Sequence, residues 1–386
     1  MTIVVDRAEP RALSGWAVII LIPLCFAILG LGLRYAAYAS LVPDASLAQV
    51  PQFLCRWDCG WYVKMAETGY DPFPVPTMIN AGNWAFFPLY PMFVGALRWL
   101  TGLPTMWVAT AASVTLTWAS AVIAWPLFDK NMRAYVLYCA FLLSGPFSFY
   151  FTTFYTEVMF LLFITCVFVA LKGRHYLWAG IFAALLSATR IVGVFIVFAI
   201  VIQAYVDHRK DGGTLKSFIT GIWLRPDLLL AIFIAPLGLF AYMAYLHYQV
   251  GDALAFSHVQ RAWGRATGSP LAYLWKGLST FPKDGFVPAI GQQLAMASLV
   301  GLALTLVLAV RKQFAAAAFC AICIILPLFA GLASVLRFVV GLAPLSILLM
   351  VLLSRWWVTF FVALAAFLAA DYFFTLGWVG GYLTLV

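Results

Sequence analysis

The sequence predicts an all-α protein that crosses a membrane many times, and three observations carry that reading. Of its 386 residues, 65% are hydrophobic and only 10% are charged, where a soluble domain carries about 25% charge. Apolar runs of roughly 20 residues, the span of a bilayer core, recur along the whole chain. No hydrophilic stretch is long enough for a separate soluble domain, so residues 1–386 read as a single membrane domain.

Eleven spans follow in order: Leu13–Leu33, Thr105–Phe128, Ala134–Ser148, Val158–Leu171, Leu177–Ala188, Ile191–Val206, Leu228–Tyr248, Ile290–Val310, Phe314–Ser334, Phe338–Leu353 and Val358–Phe374. The first is long for the core of a signal peptide, and Arg34 separates it from the small-residue stretch Ala37-Tyr38-Ala39, so it reads as an uncleaved helix. The fifth and sixth form one apolar stretch interrupted by Thr189-Arg190. An Arg at a helix centre costs about 2.5–3.5 kcal/mol on insertion scales, which places Arg190 at a turn. Basic residues gather in the short connections, among them Lys130, Arg133, Lys172, Arg174, Arg209, Lys210, Arg311, Lys312 and Arg355. With Arg7 and Arg11 they set the N-terminus inside, by the rule that short inner loops are basic. The net charge of +9 then reports topology rather than a nucleic-acid partner.

That orientation puts two long segments, 35–104 and 249–289, on the outer face together with Arg190. The first mixes Trp, Tyr and Phe with polar residues, as helices lying in a membrane interface do. Within it Met65-Ala66-Glu67 sustains a helix that Gly69-Tyr70-Asp71-Pro72 ends. No internal repeat is visible, which weakens a transporter reading. Cys25, Cys139, Cys166, Cys320 and Cys323 sit in apolar helices and read as packing. Cys55 and Cys59 flank Asp58 at i, i+4, and there the reading favours two free thiols over a disulfide.

Asp58 is the leading candidate for chemistry. It is a carboxylate set among Arg56, Trp57, Trp61 and Tyr62 soon after the first span. Aromatic neighbours that exclude water would suit a general base acting on a hydroxyl; the bland alternative is a solvated surface Asp. No second acid lies within a few residues, so there is no D-x-D metal signature, and Asp71 reads as a turn residue. Tyr155-Thr156-Glu157 falls on the same outer side, where Glu157 either joins the site or merely caps the following helix. Arg190 and Arg337 are single cations in apolar surroundings. They either snorkel to lipid headgroups or converge on a phosphate group. His258, Trp263 and Arg265, with Gln260 and Arg261 between them, suit a sugar ring beside a lipid phosphate, or alternatively a plain interfacial helix.

Taken in order, several of these segments resemble the bacterial relatives of the PIG-V family, which includes the transferase adding the second mannose in GPI-anchor assembly. The likeness lies in Trp57-Asp58-x-x-Trp61-Tyr62, Gly69-Tyr70, Phe86-Phe87-Pro88-Leu89-Tyr90-Pro91, Tyr155-Thr156-Glu157, Ala188-Thr189-Arg190 with Gly193, and Gly251-Asp252-x-Leu254-Ala255-Phe256 leading to Trp263-Gly264-Arg265. It covers Gln52 to about Leu349. The resemblance implies a GT-C glycosyltransferase fold and an inverting transfer of a sugar, above all mannose, from a polyprenyl-phosphate donor. The acceptor would be a lipid or glycan hydroxyl at the periplasmic face of a bacterial inner membrane. It implies Asp58 as catalytic base; the expected substrate-binding residues are Arg56, Trp57, Trp61, Tyr62, Tyr155, Glu157, Arg190, His258, Trp263, Arg265 and Arg337, with no cofactor and no metal ligand assigned and metal dependence open. One departure stands out: related chains often carry Pro-Arg-Tyr where this one has Leu336-Arg337-Phe338. Galactose, glucose, arabinose or a uronic acid remain alternatives to mannose, and a lipid or glycolipid transporter is the alternative outside enzymes.

Overall fold

The computed structural model describes residues 15–74, 80–265, 267–280 and 289–381; Arg7, Arg11 and the first two residues of the expected first span lie outside them. The regular elements among the described residues are α-helices and short 3-10 helices. The chain opens with α1 (Gly15–Leu41). Three helices follow in the first long segment: α2 (Val50–Leu54), α3 (Cys59–Thr68) and α4 (Leu89–Thr101). The central run is α5 (Thr105–Ala124), α6 (Met132–Ser144), α7 (Glu157–Lys172), α8 (Tyr176–Ser187), α9 (Ile196–Lys210), α10 (Leu215–Gly221), α11 (Pro226–Ile234) and α12 (Leu237–Val250). The second long segment holds α13 (Ala255–His258) and α14 (Pro270–Leu278). The chain closes with α15 (Ile290–Val310), α16 (Phe314–Leu328), α17 (Val335–Gly341), α18 (Ala343–Leu353) and α19 (Trp357–Val379).

Every expected span contains a helix, but their lengths divide them. Among the described residues six segments are long and apolar enough to cross a membrane, and a seventh if α17 and α18 count as one. Helices α6, α7, α8 and α16 hold 13, 16, 12 and 15 residues, short of the roughly 20 of a full crossing. Length alone therefore supports six or seven of the eleven expected crossings.

The ends differ from expectation where buried charge or proline intervenes. Helix α1 runs past Leu33 to Leu41, so Arg34 lies within it rather than after it. Helix α16 ends at Leu328, just past Pro327, well short of the expected Ser334. The expected span Phe338–Leu353 is two helices bent by 68°. Leu342 between them is extended, and Pro344 sits in the first turn of α18, where its missing backbone N–H is tolerated, whereas a helix continuing from α17 would need that hydrogen bond. Helix α19 continues beyond Phe374 to Val379, which carries Trp378 into the interior.

Helices α1, α6 and α19 pack together around one buried ion pair. Gly30 makes this possible: a Cβ there would overlap the carbonyl oxygen of Leu143 in α6, and small residues let apolar helices approach closely. One turn later Arg34 donates from Nη2 to the Leu143 carbonyl at 3.1 Å. Its Nη1 reaches Asp371 of α19 at 3.2 Å and Ser148 at 2.5 Å, and Ser148 in turn donates to Asp371 at 2.6 Å. Both charges are buried, Asp371 completely, so the pair acts as a helix-to-helix pin. Breaking such a pair strands the other charge in a low-dielectric interior. Asp371→Ala is expected to cost about 3–5 kcal/mol of stability. Arg34→Met with Asp371→Leu should recover most of that loss, and thermal unfolding of the detergent-solubilised variants measures both.

Candidate active site

A four-residue turn, residues 55–58, presents Asp58. Leu54 ends α2, Cys55 is extended, Trp57 adopts a left-handed φ of 52°, and Asp58 is the residue before α3. The turn is tied down from several directions. The Leu54 carbonyl accepts from Trp378 Nε1 at 2.9 Å and from Thr153 Oγ1 at 3.2 Å. The Arg56 carbonyl accepts from the Tyr155 hydroxyl at 2.7 Å, and Arg56 itself donates to the Val379 carbonyl at 2.6 Å. Cys55 and Cys59 form a disulfide across it. That corrects the expectation of free thiols: the tight turn brings the two Cα atoms within 5.3 Å, inside bridging range.

Three other parts of the chain bring charge to this turn. Arg337 projects from α17, the short helix set off by the bend at Leu342, and its Nη2 lies 2.8 Å from Asp58 Oδ2. Its Nε lies 3.3 Å from Glu157 Oε1, at the first residue of α7. Arg190 sits in the extended break after α8, with φ −159°. It donates to the same Glu157 oxygen at 2.5 Å and to Thr156 Oγ1 at 3.2 Å. The result is a continuous chain of charge, Asp58–Arg337–Glu157–Arg190. Glu157 is fully buried, Arg337 and Arg190 nearly so, and only Asp58 keeps a fifth of its side chain exposed. The Glu157 carboxylate thus bridges two guanidiniums rather than serving as a helix cap.

Aromatic rings form the walls. Arg337 lies over Tyr155 at 5.1 Å, and Arg190 over Phe338 at 4.7 Å and Phe160 at 5.5 Å. Phe338 therefore supports a cation through its ring face. The Tyr62 hydroxyl meets Thr156 Oγ1 at 3.3 Å, and burial pushes the Tyr62 and Tyr155 phenols well above their usual pKa. Trp61, Phe86 and Trp263 pack as a trio with ring centres about 6 Å apart. Arg265, just after Trp263, donates to Ser334 Oγ at 3.2 Å, and Arg337 approaches the same oxygen at 3.4 Å. Burial and the neighbouring Arg337 charge lower the Arg265 pKa.

Most of the residues singled out by sequence are gathered here, and three are not. Trp57 is half exposed, and the Asp58 carboxylate has a guanidinium, that of Arg337, as its neighbour. The Arg56 guanidinium serves the backbone of α19 rather than the charge chain. His258 is exposed and pairs with Asp252 at 2.7 Å, whose carboxyl that bond holds below its usual pKa. Asp71 pairs with Lys64, and its backbone N–H donates to Asn83, the bonds of a turn residue. Thr156, Ser334 and Trp378 were not anticipated as site residues; Thr156 alone carried a signal, as the middle residue of Tyr155-Thr156-Glu157. Among the described residues no three His, Cys, Asp or Glu side chains gather as a metal site would require.

Two cavities flank α3. One of about 520 Å³, lined by Gln52, Glu67, Arg98, Trp99 and Thr105, opens on the Val63–Glu67 face. At 100° per residue that face points away from Asp58, Tyr62 and Met65. The other, about 380 Å³ and largely apolar, runs from Met65 and Tyr70 past Leu89 to Ala188, Tyr242 and Tyr245.

No protein-family model matches the chain, and no curated protein matches it. In structure it is similar to ArnT from Cupriavidus metallidurans, whose crystal structure has undecaprenyl phosphate bound, with a TM-score of 0.54 and 14% identity. The match covers 89% of this chain and 61% of that one. The shared architecture is the GT-C fold of multi-pass membrane proteins.

Glu157 is the shared counter-ion of the site, so Glu157→Gln should be its most destabilising single change, at about 3–5 kcal/mol. Arg56→Ala, which loses one charged hydrogen bond to a carbonyl, should cost about 2 kcal/mol. Thermal unfolding midpoints of the two variants rank them; the reverse order would mean the charge chain is not formed.

Proposed function

We propose that the protein is a membrane glycosyltransferase that moves a sugar, mannose in the first instance, from a polyprenyl-phosphate donor to a hydroxyl of a lipid-linked or envelope acceptor. The observation that carries the proposal is the charge balance around Asp58. Two carboxylates, Asp58 and Glu157, face three guanidiniums, Arg190, Arg337 and Arg265, which leaves one formal positive charge in a site almost closed to water. An excess cation in such a place favours an anionic ligand, and planar guanidiniums suit phosphate. The GT-C fold shared with a protein crystallised with a polyprenyl phosphate supports the same reading, as do the ordered motifs that resemble PIG-V relatives. The apolar cavity beside Met65 and Tyr70 gives a lipid chain somewhere to lie.

In the proposed reaction Asp58, the most exposed member of the charge chain, takes the proton of the acceptor hydroxyl. The acceptor oxygen bonds to the anomeric carbon from the side opposite the phosphate, the bond from that carbon to the phosphate oxygen breaks, and the electron pair leaves with the lipid phosphate. The charge gained by that phosphate is met by Arg337 and Arg265, fixed cations in a water-poor site, where they stabilise developing charge most effectively. Trp61, Phe86 and Trp263 offer ring faces for a sugar. The Cys55–Cys59 disulfide supports an outward-facing site, because such bonds persist in oxidising compartments such as the periplasm.

The test is transfer from polyprenyl-phosphate mannose to a native membrane lipid extract. Product is expected from the unaltered protein, while Asp58→Asn should lower turnover at least 1000-fold with donor binding kept. Near-normal turnover in Asp58→Asn would remove the base assignment. Activity only with galactose, glucose, arabinose or a uronic acid donor would keep the reaction and change the sugar. Arg337→Ala should weaken donor binding at least tenfold, and unchanged affinity would remove its phosphate role.

A further inference from the structure

The turn that carries Asp58 is closed by a covalent bond that the proposed chemistry does not itself use. The Cys55–Cys59 disulfide makes a ring around Arg56, Trp57 and Asp58. The hydrogen bonds from Trp378 and Thr153 act on Leu54, just before the ring, and that from Tyr155 acts on Arg56 at its start, whose carbonyl also accepts from the Cys59 N–H at 3.2 Å. On the other side Asp58 leads into α3, which is fixed by the buried Cys59, Tyr62 and Met65. Between the two anchored ends stands Trp57, half exposed and in a left-handed conformation, which costs an L-residue about 1–2 kcal/mol. A chain free to relax that φ would swing Asp58 relative to Arg337. The disulfide joins the pinned end to the first residue of α3, and so sets the direction in which the carboxylate leaves the turn.

We infer that Cys55–Cys59 is a positioning element for Asp58, holding its carboxylate on Arg337 and aimed at the acceptor side of the site. The kinetic part of this inference rests on the proposed transferase reading; the geometric part does not. The cations that would bind the donor come from α17, the break after α8 and the segment after α13, none of which the disulfide touches. Its loss should therefore act on turnover and leave donor affinity in place. Displacements of about 1 Å at a reacting group can cost on the order of a hundredfold in rate.

Three measurements on the full-length protein, purified from membranes, test this in sequence. First, denaturation without reductant and alkylation with a maleimide should label five of the seven cysteines; labelling of all seven would overturn the inference outright. Second, the labelling rate of Asp58 by a carbodiimide and an amine is read by peptide mass spectrometry. In Cys55→Ser/Cys59→Ser, and in protein reduced in the membrane, the rate should rise at least threefold as the carboxylate leaves Arg337. An unchanged rate would mean the turn holds itself. Third, kcat should fall tenfold to a hundredfold in the double variant with the donor KM unchanged, and only the unaltered protein should lose activity on reduction and regain it on reoxidation. Full turnover in the double variant would deny the bond any catalytic consequence. Absence of transfer by every form would count against the transferase reading alone, with the labelling rates still deciding whether the disulfide positions Asp58.

Discussion

Four charged side chains with almost no water around them impose the main constraint on this structure. A guanidinium or carboxylate in a low-dielectric interior is stable only beside its complement, so Asp58, Arg337, Glu157 and Arg190 have to meet. No straight bundle of apolar helices would let them. The meeting requires an irregularity in each contributing element: the left-handed turn before α3, the start of α7, the extended break after α8 and the 68° bend between α17 and α18. Each interruption frees backbone groups, and non-helical backbone inside a membrane protein is tolerated where protein surrounds it or a cavity adjoins it.

The same rule operates a second time at Arg34 and Asp371, with a different outcome. There the pair is closed, shares Ser148 and a backbone carbonyl, and sits between helices that run on without interruption. Around Asp58, by contrast, three cations face two acids, and one carboxylate keeps an opening to its surroundings. A balanced, sealed pair fastens helices together. An unbalanced, partly open one has charge to spare for an anionic ligand, and the two arrangements differ in that respect within a chain that is only 10% charged.

The sequence made the all-helical membrane class plain because hydropathy is a local property. Asp58, Glu157, Arg190 and Arg337 were legible for a related reason: each is an ionisable residue where the surrounding residues are apolar or aromatic. Pairing was not legible. Arg34 read as the end of an apolar run because nothing near it in sequence announces Asp371, 337 residues away. His258 read as a site residue through its aromatic and cationic neighbours, yet Asp252, six residues back, holds it outside. Ser334 and Thr156 carry hydroxyls, which are too common in membrane helices to single out. The disulfide depended on the backbone of one turn, and i, i+4 thiols alone do not determine that.

The clasp between the first turn and the last helix also bears on how the site is made. Arg56 holds the carbonyl of Val379 across 323 residues of sequence, and Trp378 holds that of Leu54 across 324. At synthesis rates of about 5–20 residues per second, roughly 15 to 65 seconds separate the two halves of that contact. Arg190 and Arg337 also arrive after the turn they serve. The Asp58 turn must wait until α19 leaves the ribosome and docks. The Cys55–Cys59 bond, four residues apart, needs no later partner, and neither do the backbone hydrogen bonds from Cys59 to Arg56 and from Gly60 to Trp57. The nascent chain thus carries this corner with its local bonds already made, and assembly of the membrane bundle supplies the rest of its partners.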